Sequence, residues 1–177
     1  LFDFATVFAS RRHTRGNRVA VITNAGGPGI LAADAAERST LAMADYLRGL
    51  ADITLRSYAD DETRVVMDVR SDPVRLPVDR ALPCALIAHE LISNALKHAF
   101  PAGRPGRLVL TFGRDADDPD TLRLRIEDDG VGYSGDDSVY GTGLELVEAL
   151  AGQLGGTMRI ANGEGTVVEV RFPGAAG

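Results

Sequence analysis

The alternation of apolar and polar positions divides the chain into short, distinct segments. Residues 1–12 (LFDFATVFASRR) predict a short amphipathic helix, 18–23 (RVAVIT) a buried strand, NAGGPG a turn and 30–39 (ILAADAAERS) a helix. That order is the opening of a βα crossover, yet no parallel partner strand follows at once. From Thr40 the pattern changes. Apolar residues at 41, 44, 47, 51 and 55 recur with helical period and predict a helix over 40–58. Residues 63–69 (TRVVMDV) alternate like a strand. Pro73, Pro77 and Pro83 bracket a turn and the start of a helix over 84–100, stopped by Pro101. Two hairpins follow: 107–113 with 121–128 around an acidic turn, and 157–160 with 166–172 around ANGEG. Between them lie a Gly-rich loop, 129–143, and a helix, 144–154, ending at Gly155–Gly156. Helices mixed with hairpins predict an α+β fold, a two-layer sandwich with one mixed, mostly antiparallel sheet under helices. The first 39 residues form a helix–strand–helix appendage to it, so the expected division is 1–39 and 40–177.

Composition changes this picture at one point. Glycine supplies 20 of 177 residues, above the usual share of about 7%. Most of these glycines cluster between periodic segments, where backbone can approach a ligand closely. The net charge of −6 argues against nonspecific nucleic-acid binding, and a single cysteine, Cys84, excludes an internal disulfide framework. No apolar run approaches the roughly 18 residues that span a bilayer, so a cytoplasmic protein is expected. The chain opens on Leu1 rather than Met, compatible with a fragment.

Candidate chemistry begins on the 84–100 helix. Glu90, Asn94 and Lys97/His98 share one face at i, i+4 and i+7/i+8, beside an apolar arc of Cys84, Ile87, Leu91 and Ala95. A carboxylate, an amide and an ammonium on one stripe suit a Mg²⁺–phosphate site: Asn94 gives one oxygen, Lys97 a point charge, and Glu90 a base or a water-orienting group. A solvated helix face would contain the same residue types. Two glycine loops tip the balance. Asp128, Gly130 and Gly132 form Asp-x-Gly-x-Gly at a strand end, where a carboxylate can accept a hydrogen bond from a purine amine. Gly141 and Gly143 then lead into a helix whose free N–H groups suit phosphate.

HELISNALKHAF, EDDGVG, GTGLELVEALAGQLGGTM and GTVVEVRFP together closely resemble the ATP-binding catalytic domain of sensor histidine kinases, in the Bergerat-fold superfamily shared with gyrase and mismatch-repair ATPases. The resemblance covers about residues 41–173. It implies ATP and Mg²⁺, with Glu90 as general base or polarising residue (reaching Mg²⁺ through water) and Asn94 as Mg²⁺ ligand. Lys97 would contact phosphate, with His98 near it. Asp128 would bind the adenine amino group, Gly130 and Gly132 would shape the pocket, and Thr166 would support the adenine end. Gly141, Thr142, Gly143 and Leu144 would form the lid hinge and the phosphate-facing helix start. Implied partners are a phosphoacceptor helix domain and a response regulator, and a homodimer is open.

The sequence departs from that pattern in two places. The segment YSGDDSVY is shorter than in most relatives, and no HRVKNNL-like acceptor motif precedes the domain; His13, in RRHTRGN, does not match it. The resemblance therefore implies a kinase acting on a histidine supplied in trans, without autophosphorylation in cis. The alternatives are an anti-sigma-factor-like serine kinase and a non-catalytic or engineered ATP-binding scaffold. Residues 1–37, with TNAGGPG after a strand, are similar to a fragment of the flavodoxin-like domain of ADP-forming acyl-CoA synthetases and succinyl-CoA ligase. They lack its phosphohistidine segment, so ligase activity is not expected. The switch near Ser39–Thr40 marks a junction by fusion, recombination or design, and strand 18–23 would pair with an edge of the main sheet or mediate dimerisation.

Overall fold

The computed structural model describes residues 40–58, 64–133 and 142–174. The helix–strand–helix expected over 1–39 and the segment 134–141 lie outside the described residues. The elements are β1 (Thr40–Ala42), α1 (Met43–Tyr58), β2 (Val65–Ser71), β3 (Arg75–Pro77), α2 (Val78–His98), a short 3₁₀ turn (Pro101–Gly103), β4 (Gly106–Arg114), β5 (Thr121–Asp128), α3 (Thr142–Gln153), β6 (Thr157–Asn162) and β7 (Thr166–Pro173).

A five-stranded sheet in the order β2-β4-β5-β7-β6 forms one layer, and the three helices cover one of its faces. Only the β2–β4 pair is parallel; every other pair in this sheet is antiparallel. This is the expected mixed, mostly antiparallel sandwich. The register stacks Leu110 opposite Ile126 and Ile126 opposite Val168, so period-2 apolar positions fall on the same side. Leu108, Leu110, Phe112, Leu122, Leu124, Val170 and Phe172 are all buried there, and the Phe112 and Phe172 rings stack at 6.5 Å. Each large side chain so buried contributes about 1.5–3 kcal/mol. The alternate positions face outward as charged ladders, such as Arg125–Glu127 and Arg171–Glu169. No helix among the described residues is long and apolar enough to cross a membrane.

All three helices among the described residues start elsewhere than the sequence pattern predicts. Residues 40–42 are strand, not helix. They pair antiparallel with β3, Leu41 opposite Leu76, and α1 starts only at Met43, whose N–H donates to the Val74 carbonyl at 3.0 Å. With Leu41 in a strand, the buried stripe of α1 is Met43, Tyr46, Leu47, Leu50, Ala51 and Thr54. Helix α2 starts six residues before the expected 84, at Val78, with Pro83 inside it. Proline here removes one backbone bond near the helix start, while Ala81, Cys84, Ala85 and Ala88 stay buried in register on the core side. Helix α3 starts at Thr142 rather than Leu144, which draws Gly143 into its first turn.

Helix α2 lies between α1 and α3 and crosses over β5, with Ile87, Leu91 and Ala95 buried as the apolar arc required. This central placement turns its polar stripes toward two neighbours at once.

Candidate functional site

One stripe of α2 faces α3. A Cβ placed on Gly143 would lie 3.1 Å from Asn94 Nδ2 and 3.3 Å from Glu90 Oε2. The missing side chain thus lets the first turn of α3 settle directly over the carboxylate and the amide. Asn94 is 6% exposed, and its Nδ2 has no hydrogen-bond partner among the described residues. A buried donor left unmade costs about 1–3 kcal/mol, so it marks a place for an acceptor beyond the described residues. The first-turn N–H groups of α3, which have no partner within their own helix, suit the same anion.

The other stripe of α2, His89, Ser93 and Lys97 at i, i+4 and i+8, faces α1. Thr54 Oγ1 donates to the Leu50 carbonyl at 2.8 Å and lies 3.1 Å from His89 Nδ1. Its one proton being given to Leu50, Thr54 accepts from His89, which places the imidazole proton on Nδ1. Burial lowers the His89 pKa, only partly opposed by the Glu90 carboxylate, so the ring is held neutral. Tyr58 Oη and Ser93 Oγ are 2.6 Å apart, and Lys97 Nζ stands 5.6 Å from the centre of the Tyr58 ring. Lys97 is therefore turned toward α1 and steadied by a cation–π contact. His98, half-buried in the last turn, has its pKa lowered by burial and then by the Lys97 charge.

The second constellation forms where β5 ends. Asp128 is 6% exposed, and its Oδ1 accepts from the backbone N–H of Gly130 at 2.9 Å and of Thr166 at 3.1 Å. Burial raises its pKa, against the pull of the Thr166 and Gly130 N–H groups. The Thr166 hydroxyl is buried close by, yet makes no hydrogen bond of good geometry among the described residues. The following loop is bolted to the end of α2: Val131 N–H donates to the Ala99 carbonyl at 3.0 Å, and a Cβ on Gly130 would collide with Ala99. Gly132, at φ +83°, occupies the left-handed region that side chains disfavour. Because this loop is fastened one turn beyond Asn94, the two constellations share the end of one helix.

The structure thus brings together Glu90, Asn94 and Gly143 at one place, and Asp128, Gly130 and Thr166 at another. Leu144 follows Gly143 in the first turn of α3 and packs partly buried against the core; Gly141 lies outside the described residues, and Thr142 is described only by its backbone. Three contributors escape the sequence pattern. Tyr58 looks like an ordinary helix end. Gly165, which reads as a hairpin turn, abuts Asp128 and the Gly130 N–H; its place directly before Thr166 was the available signal. Asn162 reads as a turn residue too, but its side chain bonds both the N–H and the carbonyl of Tyr133, each at 2.8 Å.

Residues 79–176 match the model of the histidine kinase-, DNA gyrase B- and HSP90-like ATPases. That match spans more than half of the chain, and the chain belongs to this family. Among individual relatives, it is 29% identical over 121 residues to "Blue-light-activated histidine kinase 2" of Erythrobacter litoralis (strain HTCC2594), an alignment covering 66% of this chain and 34% of the relative. The chain thus spans about a third of that protein's length. Its fold is similar to the histidine kinase domain from the Erythrobacter litoralis EL346 blue-light activated histidine kinase, with TM-score 0.66, 24% identity, and coverage of 82% and 74% of the two chains. It is also similar to the Acinetobacter baumannii histidine kinase AdeS, with TM-score 0.56, 22% identity and coverage of 73% and 65%.

Proposed function

We propose that this chain binds Mg·ATP and acts as the catalytic domain of a two-component histidine kinase, passing the γ-phosphoryl group to a histidine supplied in trans, with a response regulator downstream. A cytoplasmic location accompanies this reading. The observation that supports it most is the buried Asn94 amide beside Glu90, under the first turn of α3, whose Nδ2 has no hydrogen-bond partner among the described residues. Phosphate oxygens satisfy the amide and the helix N–H groups together. Among the described residues no cluster of three or more His, Cys, Asp or Glu side chains is arranged for a metal. The donor set fits Mg²⁺, which takes few protein oxygens and completes its shell with phosphate and water. Asn94 would provide the oxygen, Glu90 would act through a water, and the ion would supply charge neutralisation of the phosphates.

Asp128 accepts from the adenine amine through the oxygen that the backbone leaves open. In the transfer, the bond from γ-phosphorus to the bridging oxygen breaks, a phosphorus–nitrogen bond forms to the acceptor imidazole, and ADP departs. The unprotonated ring nitrogen attacks through its lone pair, and Glu90 takes the proton from the other nitrogen of the acceptor imidazole. Positioning and charge, rather than covalent chemistry by the protein, supply the rate.

The test is incubation of the chain with γ-labelled ATP and a separate acceptor-helix protein. Acid-labile, base-stable label on that protein is expected; acid-stable label would indicate a serine kinase, and absence of label an idle binder. Asn94→Ala is expected to abolish the Mg²⁺ dependence of ATP binding, measured by titration with and without the ion; an unchanged Mg²⁺ response removes Asn94 from that role. Lys97→Met is expected to weaken ATP by roughly fivefold at most, since the ammonium is exposed, and to leave adenosine unaffected. Equal losses for both ligands would mean that Lys97 acts on the fold and not on phosphate.

A further inference from the structure

The tip of the β6–β7 hairpin has more contacts with the Asp128 loop than a turn requires. Its last rung pairs Asn162 with Thr166. From this tip, the Thr166 N–H bonds the Asp128 carboxylate where the loop begins. Gly165 leaves room for Asp128 and Gly130, which a side chain would displace. Where the loop ends, the Asn162 amide accepts from the Tyr133 N–H and donates to the Tyr133 carbonyl, both at 2.8 Å. The amide side chain thus imitates a neighbouring strand for a residue that lies in none. Ala99 holds the middle of the loop through Val131.

We propose that Asn162 is a positioning residue for the nucleotide base: it fixes the far end of the Asp128–Tyr133 loop so that the base meets an ordered wall. This rests on the reading of Asp128 as the adenine acceptor. The physical ground is entropic. A loop fastened at both ends and the middle is already ordered before ligand arrives, whereas a loop loose at Tyr133 must be ordered by the ligand, at the expense of affinity. Because Asn162 acts at the base end, its effect falls equally on ATP and on adenosine.

Two variants test this. Asn162→Ala removes both hydrogen bonds; Asn162→Asp keeps the acceptor and loses only the donor to the Tyr133 carbonyl. Affinities for ATP and for adenosine are measured by calorimetry, amide exchange at Tyr133 by mass spectrometry, and melting without nucleotide. Asn162→Ala is expected to weaken both ligands by about tenfold, equivalent to about 1.4 kcal/mol, with their affinity ratio preserved and faster exchange at Tyr133. Asn162→Asp should change both in the same direction, and it decides the question if the alanine variant fails to fold. Affinities within twofold of the parent chain overturn the proposal, whether melting falls or not. So does a loss confined to ATP, which would place the effect at the phosphates. Asp128→Asn serves as the reference: if it too leaves affinity unchanged, the adenine assignment itself has failed, whereas a loss in Asp128→Asn alone refutes only the role of Asn162.

Discussion

Asp128→Asn is expected to weaken ATP binding by roughly tenfold to a hundredfold and, at neutral pH, to make the fold more stable. Both effects follow from how the carboxylate is held. Its Oδ1 already accepts two backbone N–H groups, from Gly130 and Thr166. An asparagine would keep its oxygen there, because only the oxygen can accept. Its NH₂ would then occupy the position of Oδ2, so a donor would face the adenine amine, another donor. The stability effect has the opposite sign. Burial raises the Asp128 pKa above its ordinary 3.8, so the folded chain binds this proton more tightly than the unfolded one. Stability from this group is fully present below pH 3.8 and is lost as pH rises through the folded value. At pH 7 the ionised side chain therefore costs stability, which a neutral amide avoids. Thermal melts across pH should show the variant above its parent near neutrality, with the gap closing below pH 4 or so. A variant that melts lower at pH 7, or binds ATP as its parent does, contradicts this account.

Glu90→Gln is expected to slow phosphoryl transfer to an acceptor helix by about a hundredfold or more while leaving ATP affinity nearly unchanged. Glutamine has the same shape and remains a polar neighbour of Asn94 and Gly143, so the seat of the phosphates is preserved. It cannot take a proton. The measurement is single-turnover transfer from labelled ATP at saturation, beside equilibrium binding. A rate within a few-fold of the parent would mean that the acceptor proton leaves by another route. A joint loss of rate and affinity would make Glu90 a binding group. The contrast between the variants is diagnostic: Asp128 acts on affinity at the base end, Glu90 on rate at the phosphate end.

Much of the fold was legible in the sequence because it rests on local periodicity. Period-2 alternation located β4, β5 and β7 to within a residue, since one face of each strand is buried and the other is wet. Boundaries failed where tertiary partners overrode local preference. Residues 40–42 continue a helical pattern, but pairing with β3 makes them a strand. Pro83 reads as a helix start, but α2 runs back past it to Val78, with its buried face reaching Ala81. Within the site, Glu90 and Asn94 could be placed on one stripe from spacing alone, since four residues make about one helical turn. That the 89/93/97 stripe answers to α1, and that Lys97 stands over Tyr58, depends on the packing angle of two helices, which spacing does not encode.

The sequence by itself determined the helical stripe of Glu90 and Asn94, the Asp-x-Gly-x-Gly strand end and the order of the glycine loops, because these depend on residues close together along the chain. Only the tertiary structure decided that Gly143 seats α3 over that stripe, that Ala99 pins the Gly130 loop, and that Asn162 and Gly165 belong with Asp128. Those relations join segments more than 25 residues apart, and what fixes them is close packing and the need of each buried polar group for a partner, two conditions that exist only once the chain has folded.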